Sequence, residues 1–297
     1  MPTRKLIAPF VFGLSILLAG SLNAQPGVPS WTPVDQALGR TGTTQADGVR
    51  RYAFPRSDLH VELDGVAVRP ALALGGWLAF QPMGSSAVVM GDLVLTPEEV
   101  NPVMSELLKG GIQITAVHNH LLRASQQTIY MHVLGRGDAA RLAATVRAAL
   151  ALSHTPLQAP AAAPPTNIDL DTGALDQIMG RGGKSNGGVY QFTFPRAEKI
   201  VDAGMVEGAS MGTGTAINFQ PIGGGRAAAT GDFVLLGSEI DPVMRELRSH
   251  DIEITALHSH MVGEQPTIYF MHFWGVAPVA QLATGVRAAL DRTNVQR

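Results

Sequence analysis

The sequence contains no cysteine. This absence excludes disulfides, thiolate metal sites, iron–sulfur clusters and cysteine nucleophiles. Charged residues are also scarce, at 15% of the 297 residues, and the formal net charge is only −2. A chain so close to neutral lacks the excess positive charge that attracts nucleic acid or anionic lipid, so we expect neither as a partner. Any chemistry must therefore use histidine, carboxylate, hydroxyl, amide or backbone groups.

Long apolar runs are missing after the first 20 residues. Arg4 and Lys5 precede an apolar run over residues 6–20, and small residues follow before Gln25. This order is typical of a secretory signal peptide, and the run is shorter than the roughly 20 residues of a membrane helix. We predict that residues 1–24 are a signal peptide and that no membrane span remains after its removal. The mature protein is then periplasmic or secreted; an uncleaved anchor helix is the alternative.

The sequence contains an internal repeat. Residues 99–107 (EVNPVMSEL) and 239–247 (EIDPVMREL) match at six of nine positions, at an offset of 140 residues. Residues 112–120 (IQITAVHNH) and 252–260 (IEITALHSH) match equally well at the same offset. A unit of this size exceeds the period of about 20–50 residues that solenoid repeats show, so it is a duplicated domain.

The repeat predicts the domain organisation. After the signal peptide we expect a first unit over residues 25–152, an Ala/Pro-rich linker over 153–171 and a second unit over 172–297. Turn signals, alternating apolar runs and helix caps predict the order α-β-β-β-β-α-β-β-α in each unit. Mostly local hairpins with added helices indicate an α+β fold with mainly antiparallel sheets. Two such units are expected to pack about a pseudo-two-fold axis, as a homodimer would.

Six of the nine histidines repeat with the units. The first-half triplet is His118, His120 and His132, and the second-half triplet is His258, His260 and His272. Both have the spacing H-x-H-x11-H, whereas the other three histidines have no counterpart.

A β-hairpin would bring each triplet together. Side chains two apart in a strand lie on one face, so His118 and His120 share a face. If the chain turns back through residues 122–126, His118 faces His132 and His120 faces Tyr130, with opposed Cβ atoms about 4.5–5.5 Å apart. Three imidazoles on one face resemble the ligand set of catalytic zinc, whereas a hairpin whose histidines only pack or hydrogen-bond is the simpler alternative. The sequence leaves open whether the two triplets form separate sites or one shared site.

The ligand type restricts the metal. All-imidazole sites suit zinc, copper, iron or nickel, and we take zinc as the expected ion. Three methionines adjoin the histidines and would suggest copper, but their odd numbers place them on the opposite strand face as core residues: Met131, Met261 and Met271.

The two hairpin loops differ. Glu264 lies in the second loop, where the first has Ala124. Glu264 is a candidate fourth ligand, outer-shell partner or general base for metal-bound water, and it is the one candidate catalytic residue. Tyr130 lies two residues before His132 but Tyr269 lies three before His272, so a bulge or a flipped tyrosine is expected.

Three further pairs of polar residues occupy matching positions in the two halves. Asp92 and Asp232 follow glycine and are expected to shape turns. Arg56 and Arg196 are expected either to line a pocket or to be exposed. Glu106 and Glu246 are expected to be solvated on a helix, with an outer-shell role as the alternative.

Several segments of the second unit resemble one family. They are residues 231–235 (GDFVL), 258–261 (HSHM) and 268–274 (IYFMHFW), with Glu246 and Leu247. These segments are similar to the LppY/LpqO-like proteins, which are exported bacterial proteins, often lipoproteins, with a duplicated domain. The resemblance implies export and duplication. Ser21 stands where a lipoprotein has its lipidated cysteine, so a lipid anchor is not expected.

These observations predict an exported, soluble metal-binding protein with one histidine triplet in each half. A metal-dependent hydrolase or hydratase, with its active site in the second half, is one alternative. A non-catalytic cell-envelope scaffold is the other. The expected partners are a metal ion and, for the alternatives, a small-molecule or cell-envelope ligand.

Overall fold

The computed structural model describes residues 30–158 and 167–296. The predicted signal peptide and part of the predicted linker lie outside these residues. Within them, no helix is both long enough and apolar enough to cross a membrane.

The two halves contain similar elements in the same order. The first half contains α1 (Thr32–Leu38), β1 (Thr43–Thr44), β2 (Arg50–Pro55), β3 (Glu62–Leu63), β4 (Val66–Ala67), α2 (Pro70–Ala73), β5 (Gly75–Met83), β6 (Ser86–Leu95), α3 (Pro97–Lys109), β7 (Gln113–His118), β8 (Ile129–Gly137) and α4 (Ala139–Leu150). The second half contains α5 (Thr172–Met179), β9 (Lys184–Asn186), β10 (Val189–Pro195), β11 (Val201–Asp202), β12 (Met205–Val206), β13 (Gly214–Gly223), β14 (Arg226–Leu236), α6 (Ile240–Ser249), β15 (Glu253–His258), β16 (Ile268–Pro278) and α7 (Val279–Leu290), with short 3-10 helices at Ala209–Met211 and Gly237–Glu239. The predicted duplicated α+β fold is confirmed. Each half also contains a small two-stranded hairpin, β3–β4 in the first and β11–β12 in the second, and the first half contains the short helix α2.

Local sequence signals explain where the main helices begin and end. Helix α3 begins after Thr96, whose capping box with Glu99 satisfies free backbone N–H groups at the helix start. The sequence allows this helix to start either at Thr96 or at Asn101 and Pro102. Pro102 lies inside the helix, so the earlier start is the real one. Helix α1 ends at Gly39, whose φ of 68° is the left-handed conformation that glycine adopts without a Cβ clash.

Each half forms one six-stranded antiparallel sheet. The strand orders are β1-β2-β5-β6-β8-β7 and β15-β16-β14-β13-β10-β9, so β7 and β15 are edge strands in equivalent places. One face of each sheet packs against the helices of its own half and forms a separate apolar core. The opposite face packs against the other half, in two mixed apolar clusters. The order of layers is therefore helices, sheet, sheet, helices.

Reciprocal contacts relate the halves by the predicted pseudo-two-fold axis. The side chain of Gln81 bonds to the backbone of Val206 and Gly208 in the second half. Gln220, its counterpart, bonds in the same way to the backbone of Ala67 and Arg69 in the first half. Each sheet thus holds the small hairpin of the other half through one glutamine.

The register of the histidine hairpin differs from the prediction by two residues. His132 pairs with Ala116 and Tyr130 pairs with His118, because the strands turn about residue 124, the middle of the predicted turn; a bulge between Ile114 and Ala116 changes only the pairs beyond it. The predicted pairing of His118 with His132 is therefore wrong. A shift of two residues preserves the alternation of strand faces, so the histidines remain on one side.

The displaced tyrosine does not distort the second hairpin. The pairing of β14 with β16 runs without interruption from Ile268 to Pro278. Phe270 pairs with Val234 just as Tyr130 pairs with Val94 in the first half. Tyr269 is one residue earlier and therefore projects from the opposite face of the strand.

Candidate metal centre at the pseudo-two-fold axis

All six repeated histidines meet at one place between the halves. Three ring pairs stack across the axis, with centroids 3.5–3.6 Å apart: His118 with His258, His120 with His272, and His132 with His260. The last two pairs exchange under the pseudo-two-fold axis and the first maps onto itself. The two triplets therefore form one cluster.

Each triplet also forms a compact donor set by itself. Ring nitrogens of the first-half triplet, together with His258, all lie within 4.8 Å of one another, and so do those of the second-half triplet. The Nε2 atoms of His118 and His120 are 2.7 Å apart, and those of His258 and His272 are 2.9 Å apart. Histidine groups in this arrangement can hold a metal ion.

Most of the imidazoles are buried, and several of their ring nitrogens have no hydrogen-bond partner in the protein. His118 and His258 are half-buried, and the other four are buried. Ring nitrogens without a hydrogen-bond partner include Nδ1 of His118, Nε2 of His132 and both nitrogens of His260. A buried polar atom left unpaired costs about 1–3 kcal/mol, so a cluster of them opposes folding unless a ligand occupies it.

Backbone and aromatic groups orient the rings. His272 Nδ1 donates to the Gly231 carbonyl at 3.0 Å, which leaves its Nε2 as the lone-pair nitrogen. Tyr130 stacks on His120 with centroids 3.4 Å apart, and Phe270 stacks on His260 at 3.3 Å. These contacts restrict the rotation of rings that would otherwise lose entropy on binding.

Burial also sets the charge of the rings. It lowers the pKa of His118 to about 3, helped by repulsion from His258, and lowers the pKa of His258 to about 4. It lowers the pKa of the other four well below the usual value, with added repulsion from neighbouring imidazoles. At neutral pH all six are therefore neutral, which is the form that binds a metal.

Two aspartates that the sequence interpretation assigned to turns lie at this centre instead. Asp92 is in β6 opposite His132, and Asp232 is in β14 opposite His272, so both lie within strands and the turn interpretation is wrong. The Asp232 carboxylate oxygens lie 3.6 Å from Nε2 of His260 and of His272. Burial raises the pKa of Asp92 to about 8, and burial together with Asp92 raises the pKa of Asp232.

A glycine precedes each aspartate because a larger side chain would clash with the neighbouring strand. A Cβ at Gly231 would lie 2.1 Å from the backbone oxygen of Ala216, and one at Gly91 would lie 2.6 Å from that of Trp77. The Gly-Asp pair is thus typical of closely spaced strands in this fold. The available signal in the sequence was a carboxylate inside an otherwise apolar strand of each half.

Glu264, the candidate catalytic residue, is buried in the second hairpin loop. Its Oε1 accepts the backbone N–H of Ile268 at 3.0 Å. Among the described residues, the compact donor sets contain only histidines and do not include Glu264. Its catalytic role stays a prediction.

The remaining matched residues have structural contacts. Arg56 and Arg196 are buried and each pairs with a carboxylate, Glu99 and Glu239 respectively, so both earlier interpretations, a pocket lining and an exposed side chain, are wrong. Glu106 and Glu246 pair with surface cations away from the histidines, as expected for solvated helix residues. The three methionines are buried, and Met131 and Met271 pack in the helix-side cores as predicted, whereas Met261 lies beyond β15 and packs in the cluster between the halves, so its predicted place on the opposite strand face is wrong.

Comparisons with known proteins identify the repeated unit. Residues 32–152 and 173–292 each match the family model described as Domain of Unknown Function (DUF1259). No curated protein matches the chain.

Two solved structures are similar over most of the chain. One is the trimeric bacterial microcompartment shell protein PduB, with 10% identity over 85% of this chain and 90% of that chain, at a TM-score of 0.22. The other is EtuB from Clostridium kluyveri, with 10% identity over 84% of this chain and 90% of that chain, at a TM-score of 0.20. At these TM-scores the likeness supports no conclusion about function.

Proposed function

Given that this chain belongs in both halves to the Domain of Unknown Function (DUF1259) family, we propose that it is a transition-metal-binding protein whose centre lies between the two halves. One observation carries this proposal: six neutral imidazoles, four buried and two half-buried, converge at the pseudo-two-fold axis, and three of them have ring nitrogens without a hydrogen-bond partner. Imidazole nitrogens suit zinc, copper, iron and nickel, and zinc is the ion that we propose.

The geometry favours binding over hydrolysis. Glu264, the residue proposed to activate water, uses one carboxylate oxygen to accept a backbone N–H. The stacked rings are packed against Tyr130 and Phe270. Storage, delivery or structural use of the ion follows more directly from a packed donor cluster than turnover of a substrate does.

Zinc titration of the chelator-treated full-length protein tests the proposal. We expect the wild type to bind Zn²⁺, and we expect His120→Gln or His260→Gln to weaken binding by more than the about 10–100-fold that loss of an outer-shell partner causes. Calorimetry and elemental analysis measure this. His60→Gln is the matched control, because His60 is exposed and lies outside the cluster.

Two results would contradict the metal proposal. One is a wild type that takes up no metal. The other is equal binding by the control and the cluster variants. Circular dichroism of each metal-free variant separates loss of a ligand from loss of the fold.

We further propose that the protein is exported. Support comes from Arg4, Lys5 and the apolar run over residues 6–20, and from the resemblance to the exported LppY/LpqO-like proteins. Expression of the full chain in a bacterium is expected to give a periplasmic or secreted protein whose first residue is Gln25. Amino-terminal sequencing of each cell fraction measures this. A cytoplasmic protein that still begins at Met1 would overturn the export proposal and leave the metal proposal standing.

A further inference from the structure

We infer that the centre holds two metal ions side by side, and that Asp92 and Asp232 are ligands. Each ion would take the histidine triplet and the strand aspartate of one half. The inference rests on the proposed metal binding and adds its stoichiometry and two ligands of a different chemical type.

Strand pairing places the aspartates among the histidines. Asp92 is directly opposite His132 and Asp232 is directly opposite His272, in equivalent antiparallel pairs. Opposed side chains lie on one face with Cβ atoms about 4.5–5.5 Å apart. In the second half, the carboxylate already lies 3.6 Å from two imidazole nitrogens, those of His260 and His272. A small movement of either group would let one ion contact all three.

Among the residues that the structure describes, these carboxylates have no hydrogen-bond partner. Both aspartates lie in strands facing the other half, and Oδ1 of each is buried without a hydrogen-bond partner. In the described ranges, 30–158 and 167–296, no arginine or lysine forms an ion pair with Asp92 or Asp232. A buried carboxylate is retained at such a cost where it pairs with a cation or coordinates a metal. A bound ion supplies both the charge and the missing contact.

The number of donors indicates two ions. Zinc in proteins takes four ligands in nearly all structural sites. One ion could use only half of the six imidazoles and two carboxylates, and it would leave the other half buried and unpaired. Each triplet is compact enough to hold an ion by itself. The aspartate opposite the strand histidine of that half would supply the fourth ligand. The stacking of His118 on His258, with centroids 3.6 Å apart, brings the two sets side by side.

Metal stoichiometry and X-ray absorption of the zinc-loaded wild type test the inference without any variant. We expect two zinc ions per chain and a metal–metal signal at the roughly 3.5–4 Å of known two-metal sites. One ion per chain, with no metal–metal signal, would overturn the two-ion inference and leave the proposed function intact. No bound ion would overturn both.

Isosteric variants test the aspartates. Asp92→Asn and Asp232→Asn are each expected to lower the affinity for one of the two ions at least tenfold, because a neutral amide is a weaker ligand. Asp241→Asn is the control, since Asp241 is an exposed helix residue paired with Arg245. Thermal unfolding of the metal-free variants checks that they fold. Unchanged affinity for both ions in folded Asp92→Asn and Asp232→Asn proteins would remove the aspartates from the ligand set.

Discussion

Replacement of Arg196 by methionine is expected to lower the free energy of unfolding by about 3–5 kcal/mol, the usual cost of removing one partner of a buried ion pair. The Arg196 guanidinium is buried and donates to Glu239 at 2.5 and 3.0 Å. It also donates to the Val234 carbonyl at 2.8 Å and to Glu198 at 2.8 Å. Methionine preserves much of the apolar volume but leaves the Glu239 charge and the Val234 carbonyl without this donor.

The same residue joins two elements that position the metal centre. Val234 is in β14, two residues after Asp232, and Glu239 immediately precedes α6 and accepts the backbone N–H of Leu236. Loss of Arg196 is therefore expected to loosen the strand that carries one of the proposed ligands. The equivalent Arg56 bonds to Val94 and Glu99 in the first half, so Arg56→Met should have a similar effect.

Urea unfolding of the metal-free proteins measures the effect. In the double variant Arg196→Met/Glu239→Gln, the uncompensated charge is gone, and we expect recovery of at least about 1 kcal/mol relative to the single variant. The control is Arg245→Met, because the Arg245–Asp241 pair is exposed, and its loss should cost no more than about 0.5 kcal/mol. An Arg196→Met protein as stable as this control would show that the buried pair contributes nothing.

The metal-free protein is expected to be most stable near pH 6.5 and to lose stability steeply below it. The folded-state pKa of His118 is about 3 and that of His258 about 4, against about 6.5 in an unfolded chain. Between these values the unfolded chain binds more protons than the folded chain, so stability falls as the pH falls. The other four cluster histidines have pKa values shifted in the same direction.

The two aspartates make the stability change with pH in the opposite direction. Burial raises the pKa of Asp92 to about 8, so the folded chain holds a proton that the unfolded chain releases above about pH 4. Asp232 shifts in the same direction. Their contribution to stability therefore decreases as the pH rises from about 4 to 8. Below about pH 6.5 the unfolded chain binds more protons on the six histidines than the folded chain binds on the two aspartates, whereas about a pH unit higher mainly the aspartates still titrate.

Urea unfolding of chelator-treated protein from pH 4 to 8 measures this dependence. Below about pH 6.5 the free energy of unfolding should fall by at least about 1.4 kcal/mol per pH unit, the value for a difference of one proton. His120→Gln should reduce that slope, whereas His60→Gln, which changes an exposed residue, should not. A stability that is flat across this range would show that the cluster histidines are not buried in the neutral form.

Much of the candidate site follows from short-range patterns in the sequence. The repeat at an offset of 140 residues predicts the duplicated fold, and the H-x-H spacing predicts that His118 and His120 lie together, although β7 ends at His118 and His120 lies just beyond it. Thr96 and Glu99 mark one of two possible starts of α3, the other being Asn101 and Pro102, because a capping box involves only four residues. These features depend on neighbours in the chain, so one sequence suffices to predict them.

Tertiary packing decided the rest. Whether the two triplets merge depends on how the two sheets face each other, and that depends on apolar burial summed over residues far apart in the chain. The positions of Asp92 and Asp232 opposite His132 and His272 depend on strand order, which no local period encodes. The pairing of His118 with Tyr130 and the bulge between Ile114 and Ala116 likewise arise between strands. The amino-acid sequence alone therefore determined which residues carry nitrogen donors, and the packing of two sheets about an axis determined that they share one centre with two carboxylates.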